Sequence, residues 1–227
     1  GAIRGMEQQA LLSTGRIVSP ELLATALQGR QQGTRLIRSS AFPRGDHDLN
    51  PDLYCSGSGA REAAVLVPLI RRSHGPQVVL TRRSARLSNH AGQIAFPGGC
   101  REPNDRDLIA TALRETEEEI GLAPQRVQTL GELDLYVTRT GFAVTPIVGW
   151  IEEDIPLNEL VVDPEEVDEV FEVPLPYFLN PLNREQHSRW EGDKKRQFYV
   201  YPYRNYYIWG ATAGMLNNLV EVLTEEC

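Results

Sequence analysis

Four glutamates fall within five positions of 114-RETEEEIGL-122: Glu115, Glu117, Glu118 and Glu119. Like charges at helical spacing repel by a few tenths of a kcal/mol per pair. Something must offset that cost, and a divalent cation would do so. Carboxylates joined by backbone carbonyls and water make a hard oxygen site suited to Mg²⁺ or Mn²⁺. Such ions hold phosphate oxygens and lower the pKa of a bound water. Upstream, Gly98 and Gly99 carry no Cβ and let bare backbone approach the same point. Arg114 precedes Glu118 by four residues, a helical spacing that fixes its rotamer and offsets part of the repulsion.

These residues need a helix to hold them. Asp105 or Asp107 can cap its start, and Gly121 stands where a left-handed residue ends one. At roughly 100° per residue, Leu108, Ile109, Ala112, Leu113, Thr116 and Ile120 form one arc expected to be buried. Glu115, Glu118 and Glu119 take a neighbouring arc about 100° wide, and Glu117 turns to solvent. An acidic triplet is ordinarily a solvated helix face. Arg114, Glu115, Glu118, Glu119 and Gly121 in one register coincide by chance about once in a million windows. That rarity sets the ordinary reading aside.

Around this helix the chain alternates in type. The segment 19-SPELLATALQGRQQ-32 has a serine cap and helical apolar spacing, and 33–60 reads as a loop or wrap-around arm rich in Gly, Pro, Asp and Ser. Runs 63-AAVLVPLI-70 and 76-PQVVLTRRS-84 read as strands, and 92-GQIAFPGG-99 is a third apolar run leading into the glutamate helix. Further strands are expected over 127–138 and 142–152, and 164–180 reads as an acidic helix or turn, then a strand with a proline-closed end. Two β-like pieces, near Ser188–Trp190 and over 197–203, precede a last helix spanning roughly 209–226. Strands interleaved with helices make the class α/β (α+β), with a mixed sheet.

Composition excludes several functions. A net charge of −8 over 227 residues argues against a nucleic-acid footprint. No run of 18 apolar residues exists, so no membrane span is expected. The start GAIRGMEQQ has no apolar signal core, and Gly1–Gly5 before Met6 read as an expression remnant. Cys55, Cys100 and Cys227 lack metal-ligand spacing and read as free thiols in a reducing compartment, the cytoplasm.

At the glutamate helix the sequence resembles the Nudix hydrolases, whose box runs G, five residues, E, seven residues, then REUXEEXGU with U bulky and apolar. RETEEEIGL matches the second half, with Thr116 in the first U slot. The first half departs: Cys100 fills the Gly slot and Arg106 the Glu slot, as though one residue were inserted, leaving Asp105 or Asp107 to replace the missing acid. The stretch 80-LTRRSARLSNHAGQIAFPGG-99 is similar to the signature of the coenzyme A pyrophosphatase branch, as are 164-PEEVDEVFEVPL-175 and 208-IWGATAGML-216. One departure stands within it, since the branch has an arginine where this chain has Ser88. Arg86 is close by and, on a strand, would face the same side.

The resemblance implies an α/β/α sandwich around a mixed sheet, with residues 1–60 as a helix and arm packed on a hydrolase domain over 61–227. It implies hydrolysis of a diphosphate in a nucleotide metabolite: coenzyme A or acyl-CoA, to 3′,5′-ADP and 4′-phosphopantetheine or its acyl form. ADP-ribose or another nucleoside diphosphate is the alternative substrate, and a non-catalytic nucleotide sensor the alternative class. Glu115, Glu118 and Glu119 carry over as metal ligands, with a backbone carbonyl of Gly98–Gly99, chiefly Gly99, completing the shell. Glu115 and Glu118, with Arg114, carry over as the catalytic set. Glu165 or Glu166 is the expected additional acid. A homodimer is compatible with all of this.

Other residues stand beside the box. Arg82, Arg83, Arg86 and Arg101 could neutralise substrate phosphates and are equally at home as surface charges. Strand alternation forbids Arg82 and Arg83 from facing the cleft together. Phe96 and Gly98, on the approach to the helix, are expected to line the substrate. His90 reads as a packing residue rather than an acid–base group, and Trp209 as a helix-docking residue.

Overall fold

The computed structural model describes residues 17–33, 44–53 and 59–224. Expectations that fall on 34–43 and 54–58 of the arm, on Gly1–Gly5, and on Cys55 and Cys227 lie outside the described residues. Cys100 is a free thiol. Among the described residues no helix is long and apolar enough to cross a membrane.

The strands are β1 (Arg44–Gly45), β2 (Arg61–Ile70), β3 (Gln77–Arg83), β4 (Ile94–Ala95), β5 (Gly98–Cys100), β6 (Gln128–Glu132), β7 (Tyr136–Val137), β8 (Phe142–Ile151) and β9 (Val167–Pro174). They form one mixed sheet in the order β1-β7-β8-β2-β3-β4, with β5 added to β2, β6 to β8 and β9 to β3. Its spine is the parallel pair β2–β8, in register from Arg61↔Phe142 to Ile70↔Ile151. Both faces of β2 are covered, which is why it reads as a nearly continuous apolar run rather than an alternating one.

Alternation along β2 sends Ala63, Val67 and Leu69 to one core and Ala64, Leu66 and Ile70 to the other. Helices α1 (Pro20–Gly33) and α4 (Gly210–Thr224) pack on the first face. Helix α2 (Leu108–Ile120) packs on the second through Ala112 and Ile120. The result is the expected sandwich. Fully burying a residue such as Ile120 contributes about 1.5–3 kcal/mol, so this face holds α2 firmly in place. A short helix α3 (Leu175–Leu179) follows β9.

A second sheet is antiparallel: β10 (Glu185–Glu191), β11 (Lys194–Tyr203) and β12 (Tyr206–Trp209). Its Tyr201 and Ile208 join the α1/α4 core. The arm is tied to both parts. Arg44 pairs with Asp134 at 2.7 Å and with Glu221. Asn50 uses its side-chain amide to bond both backbone groups of Gln197, each at 2.8 Å.

Local expectations met the fold unevenly. Ser19 caps α1, its Oγ accepting from Leu22 N at 3.1 Å. The strand expected over 127–138 is two strands, β6 and β7, and a register shift at Gly131 (φ 151°) lies within the first. Asp134 N then turns to the Asn218 side chain at 2.9 Å instead of continuing the ladder. The run 92–99 is likewise split, with Phe96 and Pro97 between β4 and β5. The last helix begins at Gly210, after the separate strand β12.

Candidate functional site

Helix α2 is fixed at both ends by its own sequence. Asp107 is extended (φ −155°) and accepts from Ala110 N at 2.8 Å. Gly121 is left-handed (φ 71°), and its N–H closes on Glu117 O at 2.9 Å. Ala112, Thr116 and Ile120 are buried as expected, but the buried arc reaches further round and takes in Thr111 and Glu119. Ile109, in the overhanging first turn, is 40% exposed instead.

Glu119 is therefore a buried acid, only 5% exposed. Oxygens of Glu115, Glu119 and Glu166 all lie within 4.8 Å of one another. Burial, and then the neighbouring Glu166 and Glu115, push the Glu119 carboxyl up to about 8, against the Gly98 N–H that donates to its Oε2 at 3.1 Å. Burial also raises Glu115, opposed by Arg114. Glu166 comes from the turn before β9. That turn is stitched in place by Asp163 N to Glu119 O (2.9 Å) and Ser84 N to Glu166 O (2.8 Å). Of the two distal acids named from sequence, Glu165 stands apart, exposed and 3.7 Å from Arg86. Glu118 also stands outside the group, exposed and 3.3 Å from Arg114.

Strand β5 needs its glycines for proximity rather than for turning. A Cβ on Gly99 would lie 2.6 Å from the Glu115 carboxyl carbon, and one on Gly98 would strike the β2 backbone at Ala64. Bare backbone thus meets the acids directly.

Arg114 is the hub of the outer layer. Its Nε and Nη2 grip Asp105 at 2.9 and 3.0 Å, Nη1 reaches Glu115 at 3.0 Å, and Nη2 donates to Cys100 O at 3.2 Å. Asp105 is buried and also accepts from Thr111 Oγ1 (2.8 Å) and Glu102 N (2.9 Å). The two aspartates proposed for one cap have separate duties, Asp107 capping and Asp105 anchoring.

The cations divide. Arg82 lies 3.5 Å from Glu169 and 5.1 Å from the Tyr206 ring centroid. Arg83 is half-buried, and its Nε is enclosed without a hydrogen-bond partner. Arg86 and Ser88 are exposed in the loop after β3, so strand alternation, which stops at Arg83, does not relate them. Arg101 pairs with Glu62 at 3.3 Å. Phe96 is buried in the α1/α4 core, and exposed His90 bonds Gln93 at 3.0 Å. Trp209 closes β12, with Phe198 edge-on and Arg189 over its ring. A separate cavity lined by Arg44, Asp46, Tyr136, Tyr199 and Gly214 holds none of the clustered acids.

Three clustered carboxylates beside bare glycine backbone are a hard, anionic oxygen set, and they fit a divalent cation of the Mg²⁺ or Mn²⁺ type. The arrangement can assemble charge around a phosphate.

Comparisons with known proteins identify relatives of the chain. A family model described as the NUDIX domain matches residues 60–192. The chain is 42% identical over 161 residues to a protein named "Uncharacterized Nudix hydrolase NudL" from Photorhabdus laumondii, covering 71% of this chain and 84% of that one. A protein of the same name from Cronobacter sakazakii is 41% identical over 183 residues, covering 78% and 91%. Among solved structures, a C. elegans Ap4A hydrolase binary complex is similar at 18% identity, over 51% of this chain and 80% of that one, with a TM-score of 0.42.

Proposed function

The chain belongs to the Nudix family, and on that premise we propose that its substrate is coenzyme A or an acyl-CoA, cleaved to 3′,5′-ADP and 4′-phosphopantetheine or its acyl form. The broader activity is that of the family: a pyrophosphohydrolase acting on a nucleotide derivative. That activity displaces the sensor reading. Its three scattered cysteines fit a reducing compartment, so the cytoplasm is the proposed setting.

In this reading Glu115, Glu119 and Glu166 would hold the ion, with Glu118 and the Gly99 carbonyl available to complete its shell. When bound, a divalent ion neutralises phosphate oxygens and lowers the pKa of a coordinated water. The remaining work falls to the protein. Asp105 fixes Arg114, and Arg114 orients Glu115 and Glu118. The Gly98 N–H aims Oε2 of Glu119. A clustered carboxylate accepts the proton of the attacking water, and the bridging P–O bond breaks toward the departing phosphate.

The observation that supports a phosphate-bearing substrate is Arg83. It sits in the LTRRS strand, next to Ser84 whose N–H binds the Glu166 turn, and its buried Nε has no partner within the protein. A buried guanidinium nitrogen left unmatched is costly, and a phosphate oxygen would match it.

The test is product analysis on coenzyme A, its 3′-dephospho form and ADP-ribose in Mg²⁺ or Mn²⁺. A shielded Arg–phosphate contact contributes roughly 1.5–3 kcal/mol, or about ten- to hundredfold in kcat/KM. Coenzyme A should lead its dephospho form by that factor. Exposed Ser88, in the arginine's slot, favours a weaker preference, and Ser88→Arg should then strengthen it through a lower KM. ADP-ribose outpacing coenzyme A, with Ser88→Arg inert, would replace this substrate by the nucleoside diphosphate alternative.

A further inference from the structure

Arg82 and Arg83 are adjacent in sequence and diverge in space. Alternation along β3 places Arg83 with Val79 on the α2 face and Arg82 with Val78 and Leu80 on the α4 face. On that face the surroundings of Arg82 are built. Tyr206 lies flat on Phe171, with centroids 3.7 Å apart and planes 3° from parallel. The Arg82 guanidinium lies over the Tyr206 ring at 5.1 Å. Glu169 accepts the Tyr206 hydroxyl and stands 3.5 Å from Arg82.

This arrangement occupies Arg82's charge while leaving its side chain 31% exposed. Binding a phosphate through Arg82 would mean drawing it from Glu169, whereas Arg83 already has an idle donor. What Arg82 offers is a plane. Guanidinium groups stack on flat π-systems, and this one is propped from below by Tyr206. Its link to the acids is through the chain: Glu169 follows Glu166 by three residues, and Arg82 is paired with Glu169 in the ladder. Tyr206 comes from β12, beyond the residues matched by the family model.

Resting on the nucleotide-derivative reading above, we propose that Arg82 is the platform for the substrate's nucleobase, held by Glu169 and propped by Tyr206, while Arg83 serves the phosphates. Arg82 then determines specificity for a base-bearing diphosphate over a bare one.

Calorimetric titration in Mg²⁺ with two probes, ADP and inorganic pyrophosphate, tests this. Arg82→Lys keeps the charge and removes the plane. Base stacking is a sequence-tolerant contact of moderate strength, so this variant should weaken ADP about tenfold and leave pyrophosphate unchanged. In turnover the loss should appear in KM rather than kcat. Tyr206→Phe, which keeps the ring and frees Glu169, should weaken ADP by about threefold, with melting temperature confirming the fold. Equal weakening of both probes would make Arg82 a phosphate ligand and overturn the proposal, as would no change in either. Wild-type protein that binds pyrophosphate but not ADP overturns the platform alone. Protein that binds neither overturns the nucleotide reading with it.

Discussion

Asp105 holds Arg114 with both carboxylate oxygens, one on Nε at 2.9 Å and one on Nη2 at 3.0 Å, and does so while buried. The fork fixes the guanidinium's plane and thereby the bond it makes to Glu115. Asp105→Asn should cost about 3 kcal/mol, the scale for breaking a buried ion pair. Arg114 and the two neighbouring donors hold the Asp105 carboxyl well below its ordinary range. Since the folded value lies below the unfolded one, this stabilisation is present above about pH 4 and fades as pH falls through the folded value. The melting-temperature gap between wild type and Asp105→Asn should be constant near neutrality and narrow below about pH 4. A gap unchanged down to pH 2 would contradict the assignment.

Glu119→Gln should lower kcat by roughly a hundredfold or more and leave metal-free stability unchanged or slightly raised, because it removes the cost of protonating on folding a carboxyl that burial and its acidic neighbours push up to about 8. Glu166→Gln should behave alike, as a member of the same group. Exposed Glu117 is the control, and Glu117→Gln should remain within about twofold. Steady-state kinetics on the purified set decides it; equal losses at 117 and 119 would sink the geometry.

Millimolar Mg²⁺ or Mn²⁺ should raise the melting temperature, since an ion that binds only the folded cluster stabilises by mass action. The shift should vanish in the Glu115→Gln/Glu119→Gln double variant. A chelator that leaves both melting temperature and activity untouched would exclude a metal at these acids.

Gly99→Ala isolates proximity from charge. Its Cβ would fall 2.6 Å from the Glu115 carboxyl carbon, which is the mobile end of a side chain and can move aside. Stability should change by less than about 1 kcal/mol, while activity falls at least tenfold because Glu115 is displaced. Wild-type activity with an intact fold would show that the close approach is not needed.

Much of α2 was legible because its signals are local. Asp107 and Gly121 act on backbone groups within four residues of themselves, so a cap and a stop can be read without knowing the fold. The burial of Glu119 was not, since it depends on β5 and the 163–166 turn closing over the helix edge. Angular arithmetic about one axis contains neither. For the distal acid the sequence offered Glu165 and Glu166 on equal terms, and only the stitching of that turn to Glu119 and Ser84 separates them. Phe96 was expected to line the substrate and instead fills the α1/α4 core, a placement set by long-range packing that a single run of residues does not show. Strand β12 was missed because YYIW shows no polar–apolar contrast of period two.

The amide of Asn50 occupies a place a neighbouring strand would take. Beside Gln197 strand β12 has already ended, since its last partner on β11 is Val200. The N–H and C=O of Gln197 would otherwise form an open edge, the kind of template on which chains aggregate by adding strands. One side chain satisfies both groups at once. Removing it, as in Asn50→Ala, should therefore register less in activity than in solution behaviour: concentration-dependent association that light scattering would detect while the acid cluster remained intact.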